Sequence, residues 1–263
     1  MKGGKPNSLE SGELQILLGG VPGISSRGYL GYGTVALFKL EGAWALFDTG
    51  HYNDRFLLVK ALAERGITPS EIRHVVLSHL HFDHCLNLSL FPRAEVYISQ
   101  AELDYAQAVQ QRTVIDSSIP DCWAWLLEDR RLHVVEAELA LSPGLRLALF
   151  AGHTPGCLAL FMEGGPTVAV CGDIIKNAWE AMRGRAAMAK DSEQASRSIR
   201  ALLDQAEIVV PGHDRPFRLG GDTVKYLAGF SLEVRLSLFP GPPESPLLHI
   251  DLPPGESRLA KND

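Results

Sequence analysis

The sequence predicts an α/β fold on three observations. Apolar runs of strand length alternate with stretches of helical spacing, and the strand–helix–strand order calls for parallel crossovers. Several apolar runs also stop abruptly at polar residues flanked by glycine. In open α/β sheets such strand ends gather at one edge, where sites form. With 263 residues and 46% hydrophobic content the chain can bury a substantial core. It reads as one domain over 1–263, with a loose polar start over 1–13 and an irregular Pro- and Gly-rich tail from about 240.

Taken in order, Leu14 to Leu18 and Val35 to Leu40 read as strands. The glycine-rich segment between them lacks the Lys-Ser/Thr ending of a phosphate loop and opens no helix, so it reads as turns. Ala43 to Phe47 is a return strand after the Glu41-Gly42 turn, and it ends at Asp48-Thr49-Gly50-His51. Asp54 to Arg65 has helical spacing, with Phe56, Leu57, Val59, Lys60, Ala61 and Leu62 assigned to one side and Gly66 as a stop. Arg73 to Leu77 is the next strand, and a crossover through that helix makes it parallel to Ala43–Phe47. Glu95 to Ile98 is a short strand and Gln100 to Gln111 a helix. The stretch from Thr113 to Asp129, broken by Pro120, reads as a helical insertion over the site, with Trp123 and Trp125 lining it or packing in the core.

The second half repeats the pattern. Leu145 to Phe150 ends in Ala151-Gly152-His153-Thr154-Pro155-Gly156, and Thr167 to Val170 ends in Cys171-Gly172-Asp173. Asp191 to Leu203 reads as a helix started by the Asp191/Gln194 pair, and Glu207 to Val210 ends in Pro211-Gly212-His213.

The densest polar cluster follows Val75-Val76-Leu77: Ser78-His79-Leu80-His81-Phe82-Asp83-His84. Imidazoles and carboxylates leaving a buried strand need partners, and a divalent cation satisfies them directly. Residues two apart in an extended segment point the same way, so His79 and His81 can aim at one point. Asp83 and His84, beyond the turn, can serve a second point. Adding the other strand ends gives His153, Asp173 and His213, with Asp48 as a further acid. His51, His74, His133 and His249 read as solvated or ordinary core histidines.

Composition narrows the classes. The formal charge of -6 gives no global attraction for nucleic acid or an anionic membrane. No apolar run has signal-peptide or bilayer-spanning length, and Cys85, Cys122, Cys157 and Cys171 show no paired spacing. These features point to a cytoplasmic protein in a reducing compartment. Nucleic acid is disfavoured as a partner, no membrane is implied, and a homodimer stays open.

At this point the chain resembles the metallo-β-lactamase superfamily, whose His-x-His-x-Asp-His signature is His79-Leu80-His81-Phe82-Asp83-His84 here. Asp48-Thr49-Gly50, Gly152-His153-Thr154-Pro155-Gly156, Gly172-Asp173 and Pro211-Gly212-His213 occur in the family's order, so the resemblance spans about Leu14 to Phe217. It implies a four-layer αββα sandwich with two divalent metal ions in a cleft at its edge. His79, His81 and His153 would hold the first ion, Asp83, His84 and His213 the second, and Asp173 would bridge them. Asp48 would orient a ligand histidine. The nitrogen and oxygen donor set favours zinc, with manganese, iron or cobalt as alternatives. The chemistry implied is hydrolysis by a metal-bridging hydroxide, with Asp83 also helping a proton toward the leaving group.

Ser78 to Cys85 looks most like the lactonase and small-ester branch, including acyl-homoserine lactonases. Those enzymes carry a tyrosine three residues after the bridging aspartate, where this chain has Lys176. Lys176 with Arg183, Arg185 and Lys190 suggests a clamp for an anionic substrate, and Trp179, Met182 and Met188 supply apolar surface. The plainer reading of that stretch is a solvated basic segment. Other reactions the resemblance leaves open are phosphodiester cleavage and thioester hydrolysis, and the non-catalytic alternative is a metal-binding regulatory protein.

Overall fold

The computed structural model describes residues 14–26, 28–235 and 247–258. The loose start expected over 1–13 lies outside them. Strands β1 (Gln15–Leu18), β2 (Ile24–Ser25), β3 (Gly28–Tyr29), β4 (Val35–Leu40) and β5 (Ala43–Phe47) precede helix α1 (Arg55–Ala63). Then come β6 (Ile72–Val76), α2 (Phe82–Cys85), β7 (Glu95–Ser99), α3 (Gln100–Gln110), α4 (Trp123–Leu127), β8 (Leu132–Val135) and β9 (Glu138–Ser142). The second half contains β10 (Leu145–Leu149), β11 (Leu158–Met162), β12 (Val168–Val170), α5 (Ala178–Arg183), α6 (Ser192–Leu203) and β13 (Ile208–Val210). It closes with β14 (Phe217–Gly220), β15 (Thr223–Tyr226), β16 (Phe230–Arg235), β17 (Leu247–Leu252) and β18 (Gly255–Arg258).

One sheet has the order β1-β4-β5-β6-β7-β8 and the other β18-β15-β14-β13-β12-β11-β10-β9. As the crossover argument requires, β5 and β6 are parallel, and β12 and β13 are parallel in the second sheet. The strands are apolar on both faces because both faces are covered. In β4, Val35 and Leu37 point to the helices while Ala36, Phe38 and Leu40 point to the other sheet. In β11, Leu158, Leu160 and Met162 face the first sheet, and Ala159 and Phe161 face the outer helices α5 and α6. Three apolar layers therefore separate four layers of structure: α1, α3 and α4 outside one sheet, α5 and α6 outside the other. This is the αββα sandwich the resemblance implied.

Three expectations change. In α1 the buried stripe is Leu58, Ala61 and Leu62, whereas Phe56 is 86% and Leu57 55% exposed. Apolar residues occupy more than one side of this helix, and spacing did not choose the face. In the Thr113–Asp129 insertion, Trp123 belongs to the helix-side core with Ile119, Leu126 and Leu127, and Trp125 is 63% exposed, so neither lines the site. The tail expected to be irregular from about 240 contains two strands among its described residues. β17 pairs with β16, and β18 adds to the edge of the second sheet at β15, so backbone pairing orders a segment whose composition suggested none.

Candidate metal centre

The parallel strands deliver their C-terminal ends to one edge of the sandwich. Asp48 follows β5 directly, Ser78 and His79 follow β6, Asp173 follows β12 and His213 follows β13. His153 comes from the turn after β10, and Asp83 and His84 sit in α2, for which His81 is the N-cap. All seven of His79, His81, Asp83, His84, His153, Asp173 and His213 are brought together and buried. They form three overlapping groups of close ligand atoms: His79/His81/His153, His79/His84/Asp173 and Asp83/His84/His213.

Asp173 stands between the two outer groups. Its Oδ2 lies 3.3 Å from His153 Nε2, while its Oδ1 lies 3.1 Å from His213 Nε2 and 3.3 Å from His84 Nε2. Burial opposes ionisation of Asp173, but His213, His153 and His84 outweigh it and hold the carboxyl well below the usual range.

Each of the five site histidines has its outward nitrogen tied to an acceptor. His84 Nδ1 donates to Asp48 Oδ2 at 2.7 Å, and Ser78 Oγ donates to the same oxygen at 2.7 Å while accepting from His79 Nδ1 at 2.9 Å. His213 Nδ1 donates to the Tyr32 carbonyl at 3.0 Å and His153 Nδ1 to the Met188 carbonyl at 3.2 Å. His81 is reversed: its Nε2 donates to Asp116 Oδ2 at 3.2 Å and its Nδ1 faces the site. These bonds fix five tautomers so that five lone pairs converge.

That convergence tests whether a cation fits. His79 Nε2, His84 Nε2 and Asp173 Oδ1 are buried with no hydrogen-bond partner. His81 Nδ1 and His153 Nε2 face each other at 3.1 Å with their other nitrogens already donating. Buried acceptors pointed at one another are unfavourable unless a positive charge lies between them. The donor set suits divalent first-row ions. Burial, then the neighbouring imidazoles His84, His81 and His153, push His79 well below its usual range. Burial also lowers His153. At His84, burial acts downward, but Asp83, Asp48 and Asp173 outweigh it.

The loops are held by buried polar contacts. Glu102, in α3, accepts from the Leu80 backbone N–H at 2.9 Å and from Thr154 Oγ1 at 2.6 Å, so it joins the His79–His84 loop to the His153 turn. Thr34 Oγ1 donates to the Pro211 carbonyl at 2.7 Å and fixes the His213 turn against β4. Gly212 is required by close approach: a Cβ there would fall 2.2 Å from Asp173 Oδ1.

The centre opens into a cavity of about 340 Å³. Lys176 lines it, but its ammonium lies 3.4 Å from Glu180 Oε1 and donates to the Met188 carbonyl at 2.8 Å. Trp179 and Arg183 do not line it. Both lie on α5, with the guanidinium over the indole ring and Trp179 41% exposed. The four-residue clamp therefore reduces to Lys176 and Lys190, the latter held by the Ile115 carbonyl and by Asp116 at 3.6 Å.

Sequence reasoning did not single out Ser78, Asp116, Glu102, Tyr29 or Ser118. Ser78 was adjacent to the motif and could have been found as the residue able to reach both Asp48 and His79. Asp116 and Ser118 come from a loop and Tyr29 from a two-residue strand, none with a local pattern, yet all three line the cavity.

Two facing sheets with outer helices, and a histidine–aspartate centre at their common edge, define a metal-binding αββα protein of hydrolase architecture. The sequence profile of the metallo-beta-lactamase superfamily matches residues 28–213, and the chain belongs to that family. It is 28% identical over 201 residues to metallo-beta-lactamase domain-containing protein 1 of Xenopus laevis, across 70% of this chain and 75% of that protein. It is 32% identical over 174 residues to the N-acyl homoserine lactonase AiiB of Agrobacterium fabrum, across 60% of this chain and 62% of that protein. A solved N-acyl homoserine lactone hydrolase, holding the product N-hexanoyl-L-homoserine at its catalytic metal centre, superposes with a TM-score of 0.57 at 22% identity. That match covers 69% of this chain and 80% of the other. Among the described residues no helix is long and apolar enough to cross a membrane.

Proposed function

We propose that this chain is a dinuclear metallohydrolase that opens or cleaves a small ester or lactone. The observation that carries the reading is the set of buried, partnerless acceptors His79 Nε2, His84 Nε2 and Asp173 Oδ1 at the centre of the site. In this reading His79, His81 and His153 would hold one ion and Asp83, His84 and His213 the other, with Asp173 between the two groups. Zinc is the ion that best suits five imidazoles and two carboxylates. Two bound cations would acidify water and polarise a substrate carbonyl.

The chain's own residues do the rest. Asp48 and Ser78 keep His84 and His79 in the tautomer that offers Nε2. Asp83 Oδ2, 3.4 Å from His213 Nε2, is placed to take up a proton and pass it to the departing oxygen. Lys176 has three N–H donors, of which Glu180 and Met188 engage two, so one is left for a substrate oxygen. Because Glu180 balances its charge, Lys176 acts as a donor rather than as an unpaired cation, which favours a neutral ester or lactone over a carboxylate. The named lactonase activity of AiiB supports the same substrate class.

The test is a panel of lactones, carboxylic esters, thioesters, β-lactams and phosphodiesters on protein of known metal content, with His84→Ala as control. The reading predicts chelator-sensitive turnover that is highest on esters or lactones and lost in His84→Ala. Turnover highest on phosphodiesters, or none with both sites filled, contradicts it.

A further inference from the structure

Tyr29 stands out among the cavity residues because its hydroxyl makes no hydrogen bond among the described residues. It lies on the β2–β3 hairpin, where Ile24 pairs with Tyr29 and the Leu30 N–H donates to the Gly23 carbonyl. This hairpin is outside both main sheets, and it brings the ring to the cavity beside the Asp83/His84/His213 group. The ring packs edge-on against His213, with centroids 5.5 Å apart and planes at 80°. His213 is itself pinned by the Tyr32 carbonyl, three residues along the same segment. The segment therefore fixes both the imidazole and the phenol.

The other cationic and ring donors lining the cavity are largely committed. His81, His153 and His213 donate to Asp116, Met188 and Tyr32, Lys190 to Ile115, and Lys176 to Met188 and Glu180. No hydrogen bond engages the Tyr29 hydroxyl among the described residues, and the side chain is half-buried. A phenol in such a place is a neutral donor held ready by packing, and it gains most where negative charge develops on a facing oxygen.

We propose that Tyr29 is a catalytic residue of this site, its phenol donating a hydrogen bond to the substrate oxygen that gains negative charge during hydrolysis. The proposal rests on the ester or lactone reading above. The hydroxyl donates without losing its proton, so the reaction's stoichiometry is that of hydrolysis alone. A bond of this kind forms fully only in the transition state, and its loss therefore falls on kcat more than on KM.

Tyr29→Phe keeps the ring against His213 and removes only the hydroxyl. Four quantities are read for wild type and variant: kcat and KM on the preferred ester or lactone, metal content, and affinity for a non-hydrolysed alkyl phosphonate that mimics the tetrahedral state. The expected result is a kcat lower by about 10- to 100-fold, KM within about twofold, and unchanged metal content. Phosphonate binding should weaken by a similar factor. A variant whose kcat and phosphonate affinity stay within about twofold of an active wild type overturns the proposal while leaving the hydrolase reading intact. Loss of metal in step with activity also overturns it, since the ring would then be acting on the site's structure. A wild type inert on every ester and lactone overturns the functional reading itself, and this proposal with it.

Discussion

Asp48 Oδ2 lies 2.7 Å from His84 Nδ1 and 2.7 Å from Ser78 Oγ, so one buried carboxylate sets the tautomers of two imidazoles, His84 directly and His79 through the serine. Asp48 holds this position at φ 59°, a left-handed conformation that is uncommon outside glycine, asparagine and aspartate. Burial pushes its carboxyl upward, against the pull of His84 and Ser78. Asp48→Asn keeps the backbone conformation but removes the charge. Metal affinity is expected to fall by about 10- to 100-fold, measured by competition with a chromophoric chelator. Unchanged affinity would show that Asp48 does not orient these ligands.

Asp116 does the same for His81 from an unrelated loop, and it also accepts from Tyr105 Oη at 2.7 Å. Burial alone would raise its carboxyl, but the bonds from His81 and Tyr105 hold it well below the usual range. Asp116→Asn is expected to weaken metal binding by about tenfold, whereas Tyr105→Phe, which leaves the His81 contact in place, should leave it nearly unchanged. Equal losses in both variants would mean that the loop, not the carboxylate, matters.

Gly212 is where backbone packs directly against a candidate ligand. The Cβ of Gly212→Ala would sit 2.2 Å from Asp173 Oδ1 and 2.8 Å from the Gly172 backbone, so Asp173 or its turn must move. We expect a stability loss of about 1–3 kcal/mol by urea unfolding together with loss of most turnover. Gly42→Ala, with nothing within 4 Å of the added Cβ, is a useful contrast. Its φ of 81° predicts some loss of stability, but activity should remain.

Much of this site was legible because the ligands sit at strand ends. Once His79 to His84 is seen to follow an apolar run, the same signal recurs at His153, Asp173 and His213, and parallel pairing of β5 with β6 brings Asp48 to Ser78. The residues that tune those ligands were not legible in the same way. Asp116 is 35 positions from His81, and Tyr29 arrives on a two-residue strand, so neither leaves a periodic trace. Trp179 and Arg183 were near Lys176 in sequence, but the turn of α5 carries them away from the cavity. Exposed apolar residues misled the reading of α1: Phe56 and Leu57 fit a helical stripe as well as Leu58, Ala61 and Leu62 do.

Asp54 gives a pH prediction separate from the ligands. Its carboxyl precedes α1, makes no capping bond, and is pushed by burial from 3.8 to about 6. A carboxyl with a raised folded pKa favours folding in its neutral form, and that contribution is lost as pH rises from the unfolded toward the folded value. Asp54→Asn should therefore gain stability over wild type with rising pH. The gain should grow by about 1 kcal/mol between about pH 5 and about pH 8, after allowance for solvent screening. A gain that is flat or shrinks with pH would place the Asp54 ionisation elsewhere.

The proposed function requires two adjacent cation sites with Asp173 between them. It is tested most directly by calorimetric titration of metal-stripped protein with zinc, following turnover of the preferred ester or lactone in the same samples. The account predicts about two equivalents bound per chain, activity restored as they bind, and both lost together in Asp173→Ala. Binding of a single equivalent, or turnover that persists in the stripped protein, would contradict it.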